Sequence, residues 1–201
     1  MTDLFEEKAR DWDVNETVRA LSGAVGRCML SHVELHEGMQ VMDFGAGTGL
    51  ITAQVAARAG KVTAVDVSQA MLDKLAAKPG LRGKVEIRCR NILEQPLAER
   101  FDLIVSAMAL HHVQDTDRLI RCFAEHLKPG GRVALADLDK EDGSFHPEGT
   151  EGVFHSGFDR DDLRARLEGQ GFIDVRFVTA HTVEKENGDY PVFLVTAGKA
   201  G

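Results

Sequence analysis

The chain has 201 residues, 43% of them hydrophobic and 28% charged, the proportions of a single ordinary globular domain. A net charge of −8 repels nucleic acid, and no apolar run approaches the roughly 18–20 residues that span a bilayer. The acidic start, Met1 to Lys8, lacks the apolar core of a signal peptide, so a cytoplasmic protein is expected.

In chain order, a short helix is expected near Leu4 to Trp12. A longer one runs from Glu16 to about His32, capped by Asn15, with Val18, Leu21, Val25 and Met29 at helical spacing. Gly38 opens a first strand, Met39 to Phe44. The run Val41-Met42-Asp43-Phe44-Gly45-Ala46-Gly47-Thr48-Gly49-Leu50 then reads as strand, tight turn and helix, the helix reaching Ala59. Glycine in that turn serves positive φ and lets a ligand approach bare backbone, beside the free N–H groups of a helix start. The spacing Gly-x-Gly-x-Gly misses the dinucleotide pattern by one residue. A second strand, Lys61 to Asp66, ends on a carboxylate, where a doubly wound fold accepts hydrogen bonds from ribose hydroxyls. The ligand is therefore read as a nucleoside compound. Asp43, so close to the turn, disfavours a pyrophosphate and suits a cationic group.

Ser68 caps the next helix, to about Ala77, and Pro79-Gly80 stops it. A third strand spans Lys84 to Cys89 and is followed by Asn91 and Ile92. A fourth, Phe101 to Ser106, is almost wholly apolar, as suits a strand covered on both faces, and leads into Ala107-Met108-Ala109-Leu110-His111-His112-Val113. Asp115 or Thr116 caps a helix to about Leu127. Lys128-Pro129-Gly130-Gly131 turns the chain into a fifth strand, Arg132 to Leu138. Residues 139–158 form a long loop carrying His146 and His155, on the ligand side of an open sheet. Asp159 caps a last helix, Arg160 to Glu168. The strands Phe172 to Thr182 and Pro191 to Thr196 then make a hairpin across a polar link containing Asn187-Gly188. Cys28, Cys89 and Cys122 lack metal spacing; Cys89 and Cys122, in apolar-patterned segments, read as reduced, buried thiols.

Val41 to Leu50 with Asp66, Phe101 to Val113, and Leu127 to Arg132 resemble, in order, the motifs of the class I methyltransferases that use S-adenosylmethionine, in a small-molecule branch similar to the ubiquinone/menaquinone-biosynthesis enzymes. The resemblance covers about half the chain, Met39 to Leu138. It implies an α/β fold: a Rossmann-like, mostly parallel sheet ordered 3-2-1-4-5-7-6, flanked by helices, with an antiparallel last strand and an N-terminal helical cap. One domain, 1–201, divides into a cap (1–37), a cofactor core (38–138), an acceptor-side loop (139–158) and a C-terminal helix and hairpin (159–201).

The resemblance further implies that the Gly45–Ala46–Gly47 backbone passes beneath the methionine part of the cofactor and that Asp43 organises its ammonium group. Asp66 holds the ribose hydroxyls, flanked by Val67 and Met71 with Met71 beside the adenine plane, Asn91 and Ile92 meet the adenine edge, and Ala107 lines the cleft. The family commonly has aspartate where Asn91 stands; an amide can still bond adenine. Met71 reads equally as a core residue. Trp12, the single tryptophan, either touches the cofactor's methionine end or pins the cap to the core.

His111 and His112 fall where transfer would occur. Neighbouring side chains diverge in extended or helical backbone, so one at most is expected to face the cleft, His112 as a general base or His111 as a cleft contact. His146 and His155 are candidate substrate contacts on the acceptor lid. With Asp139 or Glu151 they could also ligate a metal, but their spacing fits no metal motif and no metal is expected. The leading reading is S-adenosylmethionine-dependent methyl transfer to a small acceptor, with no nucleic-acid or membrane partner. The alternative is a module that binds S-adenosylmethionine or S-adenosylhomocysteine without turnover; an NAD oxidoreductase is disfavoured by the glycine spacing.

Overall fold

The computed structural model describes residues 3–200. Its core is one sheet of seven strands in the order β3-β2-β1-β4-β5-β7-β6. The strands are β1 (Gln40–Phe44), β2 (Lys61–Asp66), β3 (Val85–Cys89), β4 (Phe101–Ala107), β5 (Leu127–Leu138), β6 (Phe172–Lys185) and β7 (Gly188–Lys199). The first five pair in parallel, while β7 runs antiparallel to both β5 and β6. The expected sheet order and hairpin are therefore present. The helices are α1 (Glu16–His32), α2 (Leu50–Ala56), α3 (Gln69–Ala76), α4 (Thr116–His126) and α5 (Arg160–Gly169). Among the described residues no helix is long and apolar enough to cross a membrane.

Strand alternation divides the core into two layers. Val41, Leu103, Val105 and Ala134 pack with Leu21, Val25 and Met29 of α1, Ile51 and Val55 of α2, and Leu72 and Leu75 of α3. Met42, Ile104, Val133 and Leu135 face the other way, onto Leu119 and Phe123 of α4 and Leu163 and Leu167 of α5. Each central strand is thus apolar on both faces because helices cover both. The caps act as read from the sequence: Asn15 accepts from Val18 N, Ser68 from Met71 N, Asp115 from Arg118 N, and Asp159 from the N–H groups of Asp161 and Asp162.

Three segments depart from expectation. Residues 4–12 form no continuous helix but turns and a short 3-10 piece, Lys8–Arg10, with a second at Trp12–Val14. The Asp3 carboxylate accepts from Phe5 N, Ala70 N and the Ser68 hydroxyl, so this segment is shaped by contacts with α3 rather than by its own ladder. The last hairpin is longer than its apolar pattern, since Glu184 pairs with Asp189 and Lys185 with Gly188, leaving Glu186 and Asn187 as the turn. Strand β5 starts at Leu127 because Phe101 pairs with Leu127 ahead of a register shift that absorbs the Pro129-Gly130 turn.

The 139–158 loop is closed at its base like the neck of a bag. Lys140 N bonds Phe158 O, Glu141 N bonds Ser156 O, and Phe158 N bonds Leu138 O, at 2.9–3.0 Å. Gly157 makes that neck possible: its φ is +70°, and a Cβ there would lie 2.1 Å from the Asp139 carbonyl oxygen. Gly149 has a similar φ, +75°, with no atom within 4 Å of the corresponding position. Gly149→Ala is expected to cost about 1–2 kcal/mol, from backbone conformation alone. Gly157→Ala is expected to cost about 1–3 kcal/mol more, from overpacking. Urea unfolding of the two variants separates these terms; equal losses would remove the neck's steric constraint.

Candidate active site at the carboxyl edge of the sheet

The carboxyl ends of β1, β2, β4 and β5 meet along one edge, and the chain leaves β1 through three left-handed glycines, Gly45, Gly47 and Gly49. Gly45 N and Ala46 N donate to Val65 O, locking the turn to β2. A Cβ at Gly45 would come 2.4 Å from that of Ala109, whereas one at Gly47 would meet nothing within 4 Å. Gly45 is needed for packing, and Gly47 leaves bare backbone beside open space. The Gly47 N–H donates to Asp66 Oδ2 (2.8 Å) and Ser68 N to Asp66 Oδ1 (2.9 Å), so the acid at the tip of β2 is held in place by backbone. Burial pushes its carboxyl up, against those hydrogen bonds.

Asp43 is 1% exposed beneath the same turn. Its Oδ2 accepts from the Thr52 hydroxyl of α2 at 2.6 Å. Burial raises its pKa to about 7; the Thr52 bond opposes this and the Asp66 charge adds to it. A carboxyl so poised becomes an anion readily when a cation arrives.

The other cofactor candidates are spread around this crevice. Val67 is 63% exposed at its rim, while Met71 is buried in the first turn of α3. Asn91 uses its amide locally, accepting from Leu93 N and donating to Glu94 Oε1. The Ile92 side chain is buried in the α4/α5 layer, which leaves its backbone as the part able to face the edge. Ala107 ends β4, half-buried. Trp12 is half-buried in a 3-10 turn next to Asp13, whose carboxylate takes the Thr48 hydroxyl and Lys78 Nζ. The N-terminal segment therefore crosses the edge, with Asp3 at the start of α3, Asp13 at the glycine turn and Phe5 edge-on to His112 with centroids 5.3 Å apart.

After β4 the chain does not continue straight. Met108 takes φ +57°, and residues 110–112 form a 3-10 turn. That geometry overturns the expectation that the paired histidines diverge: the ring centroids of His111 and His112 are 4.1 Å apart. Asp137, near the end of β5, explains the turn. It is wholly buried; its Oδ2 accepts from Leu110 N (2.9 Å) and His111 N (3.3 Å), and its Oδ1 from His111 Nδ1 (2.7 Å) and Leu138 N (2.8 Å). Burial works against the charge, but His111 and these donors outweigh it and hold the carboxyl below its ordinary range. Sequence reading missed Asp137; its signal was a lone carboxylate in the apolar run Val133 to Leu138.

The loop supplies the remaining histidines. His146 Nε2 lies 3.2 Å from His111 Nε2. His112 Nδ1 donates to Gly152 O at 2.6 Å. Burial, then the neighbouring histidine, lowers His112 and His146 to about 4. His155 is elsewhere: its Nε2 donates to Val113 O (3.0 Å), beside Thr116, and pins the loop to α4. Asp139 is taken up by Arg160. The set His146, His155 and Asp139 considered from the sequence is therefore not assembled, whereas His111, His112 and His146 converge.

A doubly wound sheet with a glycine cradle and a strand-tip acid defines a nucleoside-binding protein of the Rossmann-like class. Comparison with known proteins narrows this. A methyltransferase-domain family model matches residues 41–131. An uncharacterized methyltransferase of Geobacillus kaustophilus is 33% identical over 150 residues, covering 69% of this chain and 68% of the relative. A ubiquinone/menaquinone biosynthesis C-methyltransferase of Idiomarina loihiensis is 32% identical over 150 residues, 70% of this chain and 59% of that protein. Among solved structures, the N-methyltransferase NodS from Bradyrhizobium japonicum, in complex with S-adenosyl-L-homocysteine, shares the fold with a TM-score of 0.74 and 17% identity over the full length of both chains. The chain belongs to the class I S-adenosylmethionine-dependent methyltransferases. It spans about half the length of several curated relatives, 42%, 59% and 45%.

Two outcomes follow from the buried acids. Asp43 has a folded pKa raised from 3.8 to about 7, so its stabilising contribution is complete below about pH 4 and is lost as pH rises toward 7. Asp43→Asn is expected to flatten that part of the stability–pH curve measured by thermal melts; an unchanged slope would reassign it. Asp137→Asn, which leaves donors facing an amide, is expected to cost about 3 kcal/mol in urea unfolding.

Proposed function

We propose that the protein transfers the methyl group of S-adenosylmethionine to a small molecule. The observation that carries this is the cradle at the tips of β1 and β2: bare backbone at Gly47 beside open space, bonded to the Asp66 carboxylate. Asp66 takes the ribose hydroxyls, with Val67 and the backbone near Asn91 and Ile92 around the adenine. The Gly45–Gly47 backbone lies under the methionine part, whose ammonium ionises Asp43. This orientation directs the sulfonium toward Ala107 and the histidine-lined end of the crevice.

The sulfonium carries its own activation, so the protein's work is alignment and exclusion of water. Holding an acceptor atom in line behind the methyl carbon supplies up to about 7–11 kcal/mol in the best cases. The acceptor attacks that carbon, the C–S bond breaks and its electron pair returns to sulfur. The acceptor end is bounded by imidazoles and by Phe5 and Phe145, with Phe154 52% exposed nearby on the loop. This lining suits a small aromatic or apolar acceptor bearing an ionisable hydroxyl or thiol. The ubiquinone biosynthesis O-methyltransferases among the relatives are in keeping with a hydroxyl acceptor.

Calorimetric titration with S-adenosylhomocysteine tests the cradle. Asp66→Ala is expected to weaken binding on the order of 100-fold through loss of charge-assisted hydrogen bonds. Equal affinity in a folded variant would overturn the assignment of the pocket.

A further inference from the structure

We propose that His111, His112 and His146 form a metal-binding site for a divalent late first-row ion, zinc foremost, at the acceptor end of the crevice. One imidazole nitrogen from each of the three lies within 4.8 Å of the other two. The Nε2 atoms of His111 and His146 are 3.2 Å apart. Ligands at zinc–nitrogen bonds of 2.0–2.1 Å sit about 3.3 Å apart along a tetrahedron's edge. That pair already has the required spacing, and a nitrogen of His112 lies within 4.8 Å of both.

The outer contacts are those of a ligand set rather than of three solvated rings. A metal-bound histidine usually gives its other N–H to a carboxylate or a backbone carbonyl, which sets the tautomer and aims the free nitrogen. His111 Nδ1 donates to the buried Asp137 carboxylate at 2.7 Å, and His112 Nδ1 donates to the Gly152 carbonyl at 2.6 Å. In both rings Nε2 is left with its lone pair. Asp137 supplies the negative charge that three neutral ligands lack, without occupying a coordination position.

Three protein ligands leave a fourth position open, the pattern of catalytic rather than structural zinc. Placed beside the methyl-donor end of the cradle, that position would take the acceptor's hydroxyl or thiol. The acceptor's proton goes to water on binding, and the resulting anion attacks the sulfonium methyl. This use of the ion rests on the proposed methyl transfer; the binding site itself does not.

The test uses the untagged full chain, stripped with a chelator and titrated with Zn²⁺ by calorimetry and with Co²⁺ by visible absorption. One ion per chain, with the d–d bands of a four- or five-coordinate cobalt site, is expected. His111 is fully buried, so its variants can fail for want of folding; His146→Ala, on the loop, is the decisive one. It is expected to weaken Zn²⁺ binding on the order of 100-fold or more, with S-adenosylhomocysteine affinity and melting temperature nearly unchanged. Failure of the natural chain to take up an ion while it binds S-adenosylhomocysteine overturns the metal site and leaves the methyltransferase reading standing. Undiminished Zn²⁺ binding by His146→Ala also overturns it. Ion binding lost in His146→Ala, in a chain that ignores S-adenosylhomocysteine, upholds the site and removes the cofactor assignment instead.

Discussion

A carboxylate taken fully out of water must be surrounded by donors or give up its charge, and this chain uses both solutions within one edge of a sheet. Asp137 receives four N–H donors from three neighbouring backbone positions and one imidazole, and stays ionised. Three of those donors, Leu110 N, His111 N and His111 Nδ1, exist only because the chain after β4 turns back through Met108 and winds residues 110–112 around the carboxylate. The position of His111, and through it of His112 and His146, follows from that one buried charge. Asp43 has fewer donors, and its carboxyl is raised to about 7. The first acid is a fixed anchor; the second is a group whose charge responds to what lies above it.

The two acids also separate the two halves of the crevice. Asp43, Gly47 and Asp66 occupy the β1–β2 side, where short hydrogen bonds fix both carboxylates. Asp137 and the histidines occupy the β4–β5 side, where rings dominate. The N-terminal segment spans both halves, touching α3 through Asp3, the glycine turn through Asp13 and His112 through Phe5. Its conformation is thus coupled to the β1–β2 side and the β4–β5 side together.

The loop of residues 139–158 is long, yet its free length is short once its neck is closed. Its tip is fastened to the hairpin: Lys185 donates to Phe145 O and lies 3.8 Å above the Phe145 ring, Asn187 donates to Ser144 O, and Ser144 and Tyr190 share a hydroxyl contact of 2.6 Å. His146 follows Phe145 directly, so the polar end of β6 and β7 helps set where a site histidine stands. This gives a structural reason for strands that continue beyond their apolar stretch.

The sequence by itself determined the sheet, its caps and the glycine turn beside a strand-tip acid, because those rest on local rules. Apolar runs of strand length, Ser, Asn and Asp before helices, and alternate glycines ahead of a strand-tip acid each have a near-neighbour physical cause. Residues 4–12 escaped those rules, since Asp3 is satisfied by α3, distant in sequence. The histidines escaped too. Adjacency in the chain suggested that His111 and His112 part, and a shared loop grouped His146 with His155 as candidate substrate contacts. The tertiary structure decided otherwise, because Asp137 on another strand bends one segment and the loop neck brings round the second. Convergence of side chains from separate segments is governed by buried charge and chain closure, and neither leaves a periodic mark in the order of residues.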